Sequence, residues 1–336
     1  MTTRVGVIGA GAWGTALANL MAECGADVML WAFEPEVVDD INRRHQNTVY
    51  LDGIALAPSL TATHSKEDAV RDRDLVILAV PSHVMRRVAS ELAPHLPEGV
   101  PIVTASKGIE EETLMTMDEV LRDVLPLVHH PVLAYLSGPS FAREVALRLP
   151  TAVSMAARFE HVAERAQSMI ASPWFRIYTS TDVTGIELGG AIKNVMAIGA
   201  GVVDGLGFGH NTMAALVTRG LAEMSRLAVR RGANPLTLEG LSGLGDLMLT
   251  CTGGLSRNRQ VGQRLGRGET LSQILKDMKQ VAEGVKTAKS VYALAQREGI
   301  EMPIATTVYR MLYEDLPASE AVPELMTRSL KRELNH

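Results

Sequence analysis

RVGVIGAGAWGTALA, Arg4 to Ala18, decides how the rest of this chain is read. A short apolar run with β-branched residues ends at Gly9-Ala10-Gly11-Ala12-Trp13-Gly14, the G-x-G-x-x-G spacing, and an alanine-rich stretch suited to a helix follows. The first glycine permits a tight turn, the second lets backbone approach a pyrophosphate, and the third lets the helix pack closely on the strand. The helix N-terminus then turns its unpaired N–H groups towards the phosphates. This also disposes of a rival reading. Val5 to Ala22 carries no charge and follows Arg4, as a signal peptide or membrane span would, but four glycines, Thr15 and Asn19 lie within it.

Outward from that turn the chain alternates apolar runs with helical stretches. DVMLWAF (27–33), DLVILAV (74–80), VPIVTAS (100–106), VLAYLSG (132–138), PTAVSMAA (150–157) and FRIYTST (175–181) read as strands. Such a rhythm predicts a parallel sheet covered by helices on both faces. Beyond about Asp182 the pattern turns helical, with segments at Ile186 to Asp204, Thr212 to Arg231, Leu271 to Met278 and Lys286 to Glu298. GANPL, Gly232 to Leu236, reads as a loop. The expected architecture is α/β: a doubly wound domain over residues 1–182, then an all-α domain over 183–336. A length of 336 residues also favours two domains over one core.

Composition narrows the class. Apolar residues at 46% and charged residues at 21% describe a globular chain, and a net charge of -5 gives no general attraction to nucleic acid or anionic membrane. Two cysteines, Cys24 and Cys251, make no disulfide framework, which suits a reducing cytoplasm. Neither has metal-ligand spacing, and adjacent His129 and His130 cannot share one metal in the usual helical manner, so no metal is expected.

Candidate ligand positions follow the sheet. Phe33-Glu34 ends the second strand, and an acid about 20 residues past the fingerprint ordinarily accepts from the adenosine ribose. Glu34 would repel a 2'-phosphate, which favours NAD over NADP; its alternative is a solvated loop side chain. Arg43 and Arg44 lie further along, within reach of a phosphate if they fold back. Lys107 in TASKGIE and Ser140 in LSGPSFARE sit at strand ends, where parallel sheets bind ligands. A loop lysine and a structural helix cap are the plainer readings of the two. Ser256-Arg257-Asn258-Arg259, at a helix start, combines free N–H groups, a hydroxyl and a guanidinium fork suited to a phosphate dianion. Asp246 follows a glycine-rich turn.

Lys193 is the oddest residue. It lies in GGAIKNVMAIGAG (189–201), where its helical neighbours are Gly189, Gly190, Met196 and Ala197. No partner and no polar face surround it within the helix. Carbonyl reduction needs a proton donor where negative charge develops, and a lysine serves only if its pKa falls from about 10.4 towards roughly 7 to 8. A site without a nearby carboxylate predicts such a fall.

GAGAWGTALA, ASKGIE, SGPSFA, GGAIKNVMAIGAG, GLGDLMLTC and SRNR, in this order to about Glu283, resemble the signature series of bacterial-type NAD(P)-dependent sn-glycerol-3-phosphate dehydrogenases. The resemblance implies a Rossmann-like first domain and a second domain like that of 6-phosphogluconate dehydrogenase. It implies reversible reduction of dihydroxyacetone phosphate, a phosphorylated triose, for glycerophospholipid synthesis, by a homodimer. By the same resemblance Lys193 is the acid/base, and Lys107, Gly138, Ser140, Asp246, Ser256, Arg257 and Asn258 contact substrate. Ala12, Trp13, Phe33, Lys107, Ala142, Arg257, Val281 and Glu283 line the cofactor site, joining Gly9, Gly11, Gly14 and Glu34 as read above from the fingerprint and the second strand's end, and Asn194 and Thr250 stand behind these. Phe33 departs from the basic residue of many similar chains, and Ala12 replaces a serine found in some. The rivals are another two-domain 3-hydroxyacid or 6-phosphogluconate-type dehydrogenase and a non-enzymatic NAD(H) sensor.

Overall fold

A computed structural model describes residues 2–278, 282–330, 332 and 333. The first part of the chain lays down β1 (Arg4–Ile8), α1 (Ala12–Glu23), β2 (Asp27–Trp31), α2 (Pro35–Arg44), β3 (Thr61–Thr63), α3 (Lys66–Val70), β4 (Leu75–Leu78), α4 (Met85–Leu92) and β5 (Ile102–Thr104). It continues with α5 (Met117–Val124), β6 (Leu133–Ser137), α6 (Ala142–Ala146), β7 (Thr151–Ala157), α7 (Glu160–Ile170) and β8 (Phe175–Ser180). The strands form one sheet in the order β3-β2-β1-β4-β5-β6-β7-β8. Successive residues serve opposite faces: Val5, Val7, Leu75 and Ile77 pack into one apolar layer, and Ile8, Val76 and Leu78 into the other. A strand buried on both sides has no polar positions to alternate, hence the uninterrupted LVIL of β4.

The strand order reverses between β1 and β4, which opens a crevice at their carboxyl ends. The fingerprint turn stands there. Gly9 adopts φ +115°, and a Cβ on Gly14 would lie 1.8 Å from the Gly9 carbonyl oxygen, so turn and helix close only with glycine at both. A Cβ on Gly11 would meet nothing, because that side of the turn faces open space.

Two sheet expectations need correction. The sheet is mixed, since β7 runs antiparallel to β6. The link between them holds only the five-residue α6, which is too short for a crossover helix spanning the sheet, so the strand returns in the opposite sense. β3 gave no apolar signal, being a three-residue strand, Thr-Ala-Thr, paired with β2 alone.

The rest is helical: α8 (Val183–Gly205), α9 (His210–Arg230), α10 (Pro235–Glu239), α11 (Asp246–Thr252), α12 (Arg257–Gly266), α13 (Leu271–Asp277), α14 (Glu283–Glu298), α15 (Pro303–Tyr313) and α16 (Ala318–Met326). α8 is the axis of this half, buried from Leu188 through Val203. It starts where the Asp182 carboxylate accepts from the Gly185 N–H at 2.9 Å; its other oxygen accepts from the Asn234 N–H at 2.9 Å. GANPL is therefore only partly loop, because Asn234 caps α10 and Pro235 occupies its first turn. Among the described residues α8 alone is long and apolar enough to cross a membrane, yet 94% of its apolar window is buried within the fold. Helices around it bury Val and Ile side chains worth about 1.5–3 kcal/mol each.

Candidate active site

The carboxyl ends of β5 and β6 meet the middle of α8 and the head of α11, and four polar side chains converge there. Lys193 is 7% exposed and Asp246 1%. The Lys193 ammonium donates to Asp246 Oδ1 at 2.5 Å and to Thr250 Oγ1 at 2.9 Å. Lys107, from the loop after β5, donates to Asp246 Oδ2 at 2.7 Å and to the Gly138 carbonyl at 3.1 Å. One carboxylate thus bridges two ammonium groups, leaving a net positive triad.

Local structure fixes each member. A π-helical turn, Leu241–Gly245, swings the chain so that Asp246 opens α11 facing α8. The Thr250 hydroxyl, one turn on, lies 2.6 Å from the Asp246 backbone carbonyl and 3.3 Å from its Oδ1. The expectation that Lys193 has no partner holds along its own helix and fails in space. Its partner lies 53 residues away in sequence.

Burial dominates the electrostatics. It lowers the Lys193 ammonium to about 8; Asp246 pulls the other way, and Lys107, a like charge, pushes with burial. For Asp246 burial opposes ionisation, but Lys107 and Lys193 outweigh it and hold the carboxyl below its ordinary range. A buried lysine near 8 is an acid matched to neutral pH. Cys251, one residue after Thr250, is pushed up to about 12 by burial, which makes it an inert packing thiol.

Around the triad lie further candidates. Ser140 does not cap a helix as expected: Phe141 holds the N-cap position of α6, because helix geometry starts one residue later, at Ala142. The Ser140 hydroxyl instead donates to the Gly138 carbonyl at 3.0 Å, the acceptor it shares with Lys107. Ser256 does cap α12, accepting from the Arg259 N–H at 3.2 Å, and Arg257 stands exposed in the first turn. Asn258 donates to Asn194 Oδ1 at 2.9 Å and accepts from the Gly284 N–H at 2.9 Å, which ties α12 to α8 and α14. Glu283 opens α14 and accepts from the Ser82 N–H at 3.4 Å; burial raises its carboxyl, and Arg257 opposes that. Val281 lies outside the described residues.

The residues of the fingerprint arm gather apart from the triad, at the ends of β1 and β2. Ala12 and Trp13 begin α1, whose N-cap Gly11 offers no side chain, so the first-turn N–H groups are left for an anion. That open cradle fits a pyrophosphate. Ala142 begins α6, which packs on α1. Phe33 is 71% exposed at the end of β2, and Glu34 is partly buried, accepting from the Tyr50 hydroxyl at 2.7 Å. Glu34 is therefore not a loosely solvated loop side chain. Arg43 and Arg44 do not fold back to a phosphate: they pair with Asp39 and Asp40 one turn earlier on α2, at 3.6 and 2.7 Å. Sequence reasoning missed Tyr50 and Asn47, in the loop after α2, and Ser82, which opens the 3-10 turn Ser82–Val84, none of them within a recognisable motif.

Residues 4–163 match the family profile described as the NAD-dependent glycerol-3-phosphate dehydrogenase N-terminus, and residues 182–323 match that of its C-terminus. The chain is 57% identical over 333 residues to the glycerol-3-phosphate dehydrogenase [NAD(P)+] of Geobacter sulfurreducens, covering 99% of each chain. It is 55% identical over 331 residues to that of Myxococcus xanthus, covering 98% of this chain and 99% of the other. A crystal structure of glycerol-3-phosphate dehydrogenase from Coxiella burnetii superposes with a TM-score of 0.93 at 38% identity, covering 97% of this chain and 99% of that one.

Proposed function

The chain belongs to the NAD(P)-dependent glycerol-3-phosphate dehydrogenase family, an oxidoreductase reversibly reducing dihydroxyacetone phosphate to sn-glycerol 3-phosphate, and from this premise we propose how its residues divide the work. Residues 1–182 form the cofactor-binding domain and 183–336 the substrate domain, with Lys193 as acid/base at their junction. The observation that carries this reading is the Asp246 carboxylate shared between Lys107 and Lys193.

When bound, the nicotinamide supplies or takes up the hydride. In reduction the Lys193 ammonium protonates the carbonyl oxygen as charge develops there; in oxidation the neutral amine takes the hydroxyl proton. Lys107, held between Asp246 and the Gly138 carbonyl, adds a second positive charge beside the same oxygen. Thr250 and Asp246 orient Lys193. The first turn of α12, with Arg257 and the Ser256 hydroxyl, receives the phosphate, while Asn258 and Asn194 lock that turn to α8. Gly138 and Ser140 bound the site from the β6 side.

On the cofactor side, Gly9, Gly11, Ala12, Trp13 and Gly14 hold the pyrophosphate by backbone, Phe33 and Glu34 face the adenosine, and Ala142 and Glu283 complete the lining. NADH is the favoured reductant, because Glu34 stands where a 2'-phosphate would need a cation and Arg43 and Arg44 pair with neighbouring carboxylates. The reading extends to a homodimer in a reducing cytoplasm, its product entering glycerophospholipid synthesis. Steady-state kinetics on dihydroxyacetone phosphate with NADH and with NADPH test it, run beside 3-hydroxyacid substrates. Turnover of the triose phosphate with a kcat/KM ratio favouring NADH is expected. A preference for NADPH of about tenfold or more, some 1.4 kcal/mol, contradicts the Glu34 reading.

A further inference from the structure

The loop after α2 is fastened to the dinucleotide turn by one side chain. α2 ends at His45 in left-handed geometry, φ 50°, and Asn47 then drops into the interior, 0% exposed. Its amide donates to the Ala10 carbonyl at 2.9 Å and to the Thr15 hydroxyl at 2.8 Å, both within the fingerprint arm. Its Oδ1 accepts from the Tyr50 N–H at 3.1 Å. Thr48 donates twice to Asp40 Oδ2, at 2.9 Å each, and Leu51 and Ile54 sink into the core. Tyr50 is thus mounted on a braced loop, and its hydroxyl reaches Glu34 Oε1 at 2.7 Å. Among the described residues no other side chain holds Glu34.

The head of α2 has an electrostatic problem to solve. A helix N-terminus attracts anions, a 2'-phosphate included. Glu34 stands at its N-cap without a capping bond of its own, and Glu36 is in the first turn. A glutamate there discriminates only while its charge stays at the ribose edge; free rotation would let a phosphate displace it at the cost of one rotamer change. A hydrogen bond to an ionised acceptor is among the stronger restraints available.

We propose that Tyr50 is a specificity-determining positioning residue: its hydroxyl pins Glu34 at the ribose edge, selecting a free 2'-hydroxyl over a 2'-phosphate. One Glu34 oxygen takes the tyrosine and the other is left for the ribose. Burial and the bond to Glu34 push the Tyr50 phenol up to about 12, so it remains a donor throughout the working range. The inference rests on the NADH preference proposed above.

The test is cofactor kinetics on the full-length wild type, Tyr50→Phe, Glu34→Ala and the double variant, with circular dichroism to confirm folding. Tyr50→Phe removes one oxygen. It is expected to raise the KM for NADH about fivefold, leave the KM for NADPH unchanged or lower, and keep kcat within about twofold, as loss of a charge-assisted bond used only for discrimination requires. In the Glu34→Ala background the same change is expected to move the NADH to NADPH ratio by less than about 1.5-fold, since its target is gone. An unmoved ratio in Tyr50→Phe, equal losses with both cofactors, or additivity in the double variant overturns the proposal. A wild type preferring NADPH overturns the NADH reading and this inference together; a wild type preferring NADH with an unmoved ratio overturns the inference alone.

Discussion

Lys193 titrates near 8 because burial outweighs the attraction of the carboxylate it touches. The two directions of reaction should therefore answer to pH with opposite signs. On the acid/base role proposed for Lys193, reduction needs the ammonium, so its rate falls as pH rises through about 8; oxidation needs the amine and rises over the same span. Asp246 raises the lysine, so Asp246→Asn should move both limbs acidwards by about one unit, the low end of what an adjacent opposite charge does. A pH profile of kcat in each direction reads this, and limbs that stay put or move alkaline would contradict the assigned balance of forces. The lysine's isolation on its own helix was legible in the sequence. Its partner was not, because local spacing cannot foretell which distant helix a side chain will face. Glu34 was legible as an acid after the second strand, whereas Tyr50 reaches it through a loop whose shape depends on tertiary packing.

Elements were legible wherever burial wrote a continuous pattern. The apolar strands and the long helices showed themselves that way, while β3 is a short edge strand that demands little of its residues. The antiparallel turn at β7 depends on how far α6 can carry the chain, a matter of connection geometry. At α8 and α12 the glycines allow a close approach between the two helices. A Cβ on Gly201 would lie 2.0 Å from the Arg259 carbonyl oxygen, and one on Gly262 1.9 Å from that of Ile198. Backbone meets backbone across this crossing. Gly262→Ala must push α12 away from α8 and is expected to destabilise the chain by about 1–3 kcal/mol, the usual cost of overpacking. Because α12 carries Arg257, the KM for dihydroxyacetone phosphate should rise as well. Urea unfolding gives the first quantity and steady-state kinetics the second, and an unchanged midpoint would mean the helices are free to separate.

At the scale of the whole molecule, the proposed pyrophosphate cradle and the proposed proton donor belong to different layers. The cradle is built at the reversal of strand order, from backbone and glycine. The donor rises from the buried axis of the helical half and is matched there by Lys107 from the sheet, so the triad exists only where the two layers meet. This division makes a claim about separability: chemistry can be removed without removing the cofactor. Lys193→Ala tests it most directly, with turnover of dihydroxyacetone phosphate and NADH affinity measured on the same preparation. Turnover should fall at least about 100-fold, the lower end of acid/base contributions, while NADH binding stays within about twofold. Near-normal turnover in that variant, or a loss of NADH affinity matching the loss of rate, would contradict the account.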